Sequence, residues 1–269
     1  MPELPEVETV CRMLADRVLG SRITAVDVIR RDLRWQLQAD FEERCLDACI
    51  EKVFRRGKYI IIQLNKGFII WHLGMSGSIK IQNDFLLQKH DHVLLELSCA
   101  NYLIYNDPRR FGSLYWTMDY ANHARIKNLG LEPLLPTTTP ELLFSITSTR
   151  AKNIKDTIMD AANIVGVGNI YANEALFLTG IHPSSQAKSL SLKKITDLLA
   201  NIRLVLNRAI ASGGTTLNDY VNLEGKPGYF QQELHVYGRS GQQCLICSNI
   251  LKKLEDFSRQ TVYCDRCQS

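Results

Sequence analysis

The chain has 269 residues, 45% hydrophobic and 22% charged, with a formal net charge of +4. That length and balance suit one or two domains with real cores and exclude a disordered polyelectrolyte. No apolar run approaches the roughly 20 residues of a membrane helix. Glu3, Glu6 and Glu8 leave no room for the apolar stretch of a secretory signal, so a cytosolic protein without a membrane partner is expected.

Val7, Val10, Cys11, Leu14 and Val18 recur at helical spacing, so a helix is predicted behind the opening "MPELPEVETV". Its acidic first turn suits the positive end of a helix dipole, and Gly20 is a natural stop. From residue 22 to about 117 the chain reads as short strands: "KVFRRGKYIIIQL", "GFIIWHLG", "SIKIQ", "HVLLELS" and "YLIYND". Asn65-Lys66-Gly67 predicts a hairpin turn, and the whole run predicts an antiparallel sandwich or barrel. "EPLLPTTTPE" reads as a linker and sets a boundary near residue 133. The period then becomes helical in "PELLFSI", "IKDTIMDAANI", "NIYANEALFLTG" and the long amphipathic "SLKKITDLLANIRLVLNRAIA", which Gly213-Gly214 ends. The expected organisation is α+β, with an N-terminal antiparallel β-sandwich and its helix over 1–133, a helical domain over 134–235 and a cysteine module over 236–269.

Basic residues gather locally, in "RRDLR", "FRRGK" and "DPRRFG", which points to polyanion contact through patches rather than bulk charge. Cys244, Cys247, Cys264 and Cys267 form two C-x-x-C pairs sixteen residues apart. Each pair lets one tight turn present two thiolates, and two turns close a tetrahedral zinc site with no position left for catalysis. Disulfides would be the alternative, disfavoured in a cytosolic chain. The four other cysteines, Cys11, Cys45, Cys49 and Cys99, read as buried thiols. Zinc modules of this type serve nucleic acids or proteins.

Other motifs allow two readings each. In "NIVGVGNIYANEA", Gly166 and Gly168 precede a helix start at Asn169, which suits a phosphate or simply a turn between packed helices. "HLGMSGS" and "NDPRRFG" present Met75, Arg109 and Phe111 on strand-end loops, suited to insertion into a base stack or to ordinary turn packing. Lys58 in "RRGKY" is either a lysine whose pKa is lowered by neighbouring cations or a solvated basic edge. "KHDH" (89–92) could hold a metal or touch a phosphate. After removal of the initiator methionine, Pro2 would carry a secondary amine with a pKa near ~8, able to attack an electrophilic carbon with Glu3 as proton donor. Otherwise the two residues merely start a helix.

Taken together and in order, these motifs and Arg259 before the last cysteine pair resemble formamidopyrimidine-DNA glycosylase over essentially the whole chain. The resemblance implies a bacterial, cytoplasmic, monomeric bifunctional glycosylase/AP lyase. It would excise 8-oxoguanine and formamidopyrimidines from double-stranded DNA held in the cleft between two domains. It implies Pro2 as nucleophile, Glu3 as general acid, and Lys58 and Arg259 as catalytic residues near the lesion phosphates. Met75, Arg109 and Phe111 would fill the gap left by the flipped nucleotide. His90, Arg150 and Asn169 would contact DNA, a helix–two-turn–helix motif would lie in the helical domain, and one structural zinc would sit on the four cysteines. The segment "TTLNDYVNLEGKPGYF" is expected to cover the base. The chain departs from the family at "TRAKNIKDTIMD", where a Lys-Pro-Trp sequence is expected; Arg150 and Lys155 keep their charges. The sister reading is an endonuclease VIII-like glycosylase for oxidised pyrimidines.

Overall fold

A computed structural model describes residues 2–84, 86–215, 223, 228–255 and 259–269. Most of "TTLNDYVNLEGKPGYF" lies outside the described residues. The chain forms two compact units, one of residues 1–127 with 212–229 and the other of 128–211 with 230–269.

The first unit opens with α1 (Leu4–Val18), whose Leu4, Val7, Val10, Cys11, Leu14 and Val18 are all buried, as the spacing predicts. Two antiparallel sheets follow. One has the order β1 (Ile23–Val28), β6 (Asp91–Leu97), β7 (Asn101–Asn106), β5 (Ser78–Gln82). The other has the order β2 (Ile50–Arg56), β3 (Tyr59–Leu64), β4 (Gly67–His72), β8 (Ser113–Thr117). A single core joins α1 to both sheets through Ile60, Ile62, Ile69, Trp71, Val93, Leu95, Leu103 and Tyr105. This is the expected sandwich. Two local expectations differ. "KVFRRGKYIIIQL" is two strands, because Gly57 takes a left-handed conformation (φ 60°) and reverses the chain so that Arg56 faces Tyr59. A short helix, α2 (Phe41–Cys45), breaks the run of strands and buries Phe41 and Cys45.

The second unit contains α3 (Pro140–Thr147), α4 (Ile154–Met159), α5 (Asn169–Thr179) and α6 (Leu192–Ala211). The Asn153 side chain caps α4 by accepting from Asp156 N–H at 2.7 Å. "IKDTIMDAANI" is helical only to Met159; Asp160 then accepts from Ala162 N–H and turns the chain. α6 lays Ile195, Leu198, Ile202, Val205 and Leu206 inward, and it packs against α5 and α3. A hairpin of β9 (Lys252–Leu254) and β10 (Thr261–Tyr263) completes the unit. Among the described residues, no helix is long and apolar enough to cross a membrane.

Candidate functional site

The first unit carries seven of the residues singled out by sequence. Pro2 and Glu3 are buried at the start of α1. Glu3 is the N-cap, and its N–H donates to the Glu6 carboxylate at 2.7 Å within a capping box. Glu6 also accepts from Thr215 N–H at 2.7 Å, so this buried carboxylate joins the N-terminus to the chain beyond α6. Arg55 holds the neighbouring β2–β3 turn by donating to Glu8 at 3.0 Å and to Gly57 O at 2.9 Å. Burial pushes the Glu8 carboxyl up, but Arg12 and Arg55 bring it below its usual range. Lys58 stands half-buried in that turn. Next to it, burial first, then the Lys58 and Arg34 charges, hold His72 down to about 4, and its Nδ1 accepts from Gly74 N–H. His72 is therefore a neutral imidazole at physiological pH.

Met75 and Phe111 are exposed, at 38% and 41%. Exposure of a single apolar side chain is ordinary, but these two stand on loops that touch each other. The Arg109 guanidinium lies 4.7 Å from the centre of the Phe111 ring. The two loops touch backbone to backbone. Gly74 adopts φ +67°, and a Cβ there would come within 2.4 Å of Phe111 C and Gly112 N. A Cβ at Gly112 would lie 1.7 Å from the Tyr105 hydroxyl. The glycines around Met75 and Phe111 are thus demanded by contact as well as by turn geometry.

Asp107 joins these loops, and sequence reasoning missed it. It is fully buried. One carboxylate oxygen accepts from the Ser76 hydroxyl at 2.7 Å and from Arg109 N–H at 3.3 Å. The other accepts from Gly112 N–H at 2.8 Å and Tyr105 O–H at 3.0 Å. Its backbone N–H donates to His90 O at 3.0 Å. One residue therefore holds the segments bearing Met75, His90, Arg109 and Phe111. The only signal was its presence inside "NDPRRFG". The metal reading of "KHDH" is not supported: among the described residues His90, Asp91 and His92 form no metal-ligating group, Asp91 accepts from Asn106 and from Gln88 N–H, and His92 Nε2 is hydrogen-bonded with Asp107 O. His90 is half-buried at the turn before β6, with φ 74°.

In the second unit α5 is the organising element. Asn169, 8% exposed at its N-terminus, donates to Gln260 O at 2.9 Å, the residue after Arg259. Asn173 accepts from Val262 N–H at 2.9 Å. Buried Glu174 accepts from the N–H groups of His235, Val236 and Tyr237. Lys155, 1% exposed, donates to the Thr261 hydroxyl at 2.6 Å and to Gln260 O. Asn173, Glu174 and Lys155 were missed as anchors, although all three stand in motifs the sequence marked. Arg259 is exposed beside this anchored strand. Arg150 is exposed and donates to Asn163 at 3.3 Å.

The sulfurs of Cys244, Cys247, Cys264 and Cys267 all lie within 4.8 Å of one another, with close pairs at 3.9 and 3.5 Å. Tetrahedral zinc with Zn–S bonds of about 2.3 Å places its sulfurs about 3.8 Å apart. The four thiols therefore fit such an ion. Around them Phe177, Val236, Leu251 and Val262 form a small core of their own. Of the scattered cysteines expected to be buried, Cys11 and Cys45 are, whereas Cys49 is half-buried and Cys99 is exposed.

A sequence model described as the formamidopyrimidine-DNA glycosylase N-terminal domain matches residues 1–114, and its H2TH domain counterpart matches residues 129–221. Formamidopyrimidine-DNA glycosylase of Pseudomonas entomophila is 45% identical over 269 residues, covering all of both chains. The chain belongs to the formamidopyrimidine-DNA glycosylase family. Among solved family structures, a mutant of Lactococcus lactis FPG in complex with DNA containing Fapy-dG superposes with a TM-score of 0.91 at 31% identity, over the whole of both chains. The MutM protein of Thermus thermophilus gives 0.89 at 34% identity, over 99% of this chain and 98% of that one. The glycosylase family thus accounts for both units and for the four-cysteine cluster.

Proposed function

We propose that this protein excises oxidised purines, 8-oxoguanine and formamidopyrimidines, from duplex DNA and then cuts the strand as an AP lyase in the bacterial cytoplasm. The observation that carries the reading is the exposed trio Met75, Arg109 and Phe111, presented on two loops locked together by Asp107. Such a wedge suits insertion into a base stack while the damaged nucleotide swings out. His90, Arg150 and Asn169 grip phosphates, with the Asn169 site at a helix N-terminus.

The chemistry follows from the N-terminus. With Met1 removed, the Pro2 amine attacks the sugar C1′, and the base departs with its bonding electrons and a proton. Glu3 protonates the ring oxygen as the sugar opens, leaving an iminium between Pro2 and C1′. Loss of a proton from C2′ expels the 3′ phosphate, and a second elimination expels the 5′ phosphate, with Lys58 and Arg259 serving these steps. A zinc ion on the four thiolates would hold the hairpin that carries Arg259.

The test is borohydride trapping. The mature protein, its N-terminus defined by mass analysis, is incubated with an 8-oxoguanine:C duplex and borohydride. A covalent complex is expected for the wild type and not for Pro2→Gly, which should still bind lesion DNA. Failure of the wild type to trap would remove the enzyme reading. A competing thymine-glycol duplex should be processed more slowly; the reverse order would favour the pyrimidine-lesion enzyme.

A further inference from the structure

A group of cations that the reaction above does not use gathers around the loop after β1. Arg30 and Arg110 both pair with Asp32, and Arg31 pairs with Glu42. Arg34 and Arg125 have no carboxylate partner among the described residues. Their guanidinium carbons instead lie 5.9 and 3.8 Å from the centre of the Trp35 ring. All three side chains are exposed, Trp35 at 41%.

An arginine stacked on an indole keeps its N–H groups pointing outward in the guanidinium plane. It gains cation–π attraction and remains able to grip a phosphate with two parallel hydrogen bonds. The ring thus serves as a platform that orders long side chains before a ligand arrives, cutting the entropy cost of binding. The location is equally specific. Arg34 N–H donates to Gly112 O at 3.1 Å, which seats this loop directly against the Phe111 loop. Arg34 and Arg125 both act on Tyr59, and Arg34 and Lys58 both act on His72, so these cations neighbour one another. The surface is open rather than enclosed. It suits a polyanion held elsewhere along its length more than a small anion needing its own pocket.

We propose that Arg34, Trp35 and Arg125 form a second phosphate-binding site, which takes the sugar-phosphate backbone of duplex DNA beside the step entered by Met75, Arg109 and Phe111. The proposal rests on the glycosylase reading above. The site is pre-assembled: both guanidinium groups lie against the indole, and the backbone bond from Arg34 to Gly112 O ties the Trp35 segment to the Phe111 loop.

Salt-dependent binding of the full-length, zinc-loaded protein tests it, with a duplex carrying a tetrahydrofuran abasic analogue as probe. Each phosphate that the protein no longer neutralises lowers the slope of log K against log salt by about 0.9. The Arg34→Gln/Arg125→Gln double variant should therefore lower the slope by about 2 and weaken binding roughly tenfold or more at moderate salt. Trp35→Leu, which keeps both charges, should weaken binding by a smaller factor, and Trp35→Phe should restore most of it. A double variant with the wild-type slope and affinity overturns the site. Trp35→Leu binding as tightly as the wild type overturns the platform. Borohydride trapping by the wild type keeps the two questions apart. A protein that traps, but whose double variant binds normally, retains the glycosylase reading and loses this site. A wild type that neither traps nor binds the probe removes both.

Discussion

Asp107→Asn is the most informative single change, because it alters one oxygen of a buried group without altering its shape. The carboxylate accepts four hydrogen bonds, from Ser76, Arg109 N–H, Gly112 N–H and Tyr105. Asparagine keeps one accepting oxygen and turns the other end into a donor. If the amide oxygen faces Gly112 and Tyr105, the NH₂ meets Ser76, whose hydroxyl can rotate to accept, and Arg109 N–H loses this acceptor. The opposite orientation sets the NH₂ against the Gly112 N–H, a donor that cannot turn away. The first is therefore preferred. Hydrogen bonds to a charged acceptor contribute about 1.5–3 kcal/mol each, so removing one and weakening two amounts to roughly 2–4 kcal/mol. Relief from burying a charge offsets part of this, and a net destabilisation of about 1–3 kcal/mol is expected. The loss falls on the joint between the two wedge loops, so lesion binding should weaken by about 5- to 140-fold, since each 1.4 kcal/mol is tenfold. Urea unfolding reads the first quantity, and titration of an abasic-analogue duplex reads the second. A variant with wild-type affinity, whatever its stability, would refute Asp107 as the residue that positions the wedge.

Gly74→Ala should act on the same joint by a different route. Its Cβ would enter the Phe111–Gly112 backbone at φ +67°, so a cost of at least ~1 kcal/mol and weaker DNA binding are expected, read by melting and titration. Cys247→Ser should lower bound zinc from one equivalent towards none and uncouple the β9–β10 hairpin, read by metal analysis and by hydrogen exchange at Val262 N–H. Full protection there in a metal-free variant would contradict the assignment. His72, held down to about 4 by burial and then by Lys58 and Arg34, adds a pH dependence. Its folded pKa lies below the unfolded 6.5, so below that pH the unfolded chain takes up the proton first. Stability should therefore fall as pH drops from about 6.5 to 4, by up to about 3 kcal/mol. His72→Gln should flatten that limb of the stability curve, and an unchanged limb would count against a buried neutral imidazole.

The features legible in the sequence were those written over short distances. The apolar face of α1 repeats within eleven residues, and each cysteine pair declares itself within four. The two-residue turn at Gly57-Lys58 was harder, because apolar and aromatic residues on both sides read as one strand and only a backbone angle separates them. Asp107 was invisible for a different reason. Its partner Ser76 lies 31 residues away, and nothing local separates a buried carboxylate from a solvated one. "KHDH" misled in the opposite direction. Its ring nitrogens and carboxylate have metal-ligand chemistry, but Asp91 is taken up by Asn106 and Gln88, His92 Nε2 by Asp107 O, and the three side chains do not gather around one point. Local chemistry proposed the wedge, and hydrogen bonds through Asp107 join the two loops that present it.

The anchoring of the cysteine hairpin on α5 bears on how modular this enzyme is. The C-terminal four-cysteine segment, which could hold a metal ion, looks like a cassette that could be trimmed or grafted. Its backbone, however, completes the hydrogen bonding of Asn169, Asn173, Glu174 and Lys155, all of them buried. Excising the cassette would leave two amides, a carboxylate and an ammonium facing a raw surface. Transplanting it would bring backbone N–H groups to a host helix without acceptors to meet them. The smallest transferable piece is therefore α4, α5 and the hairpin together, a unit assembled from stretches that the chain separates by the whole length of α6.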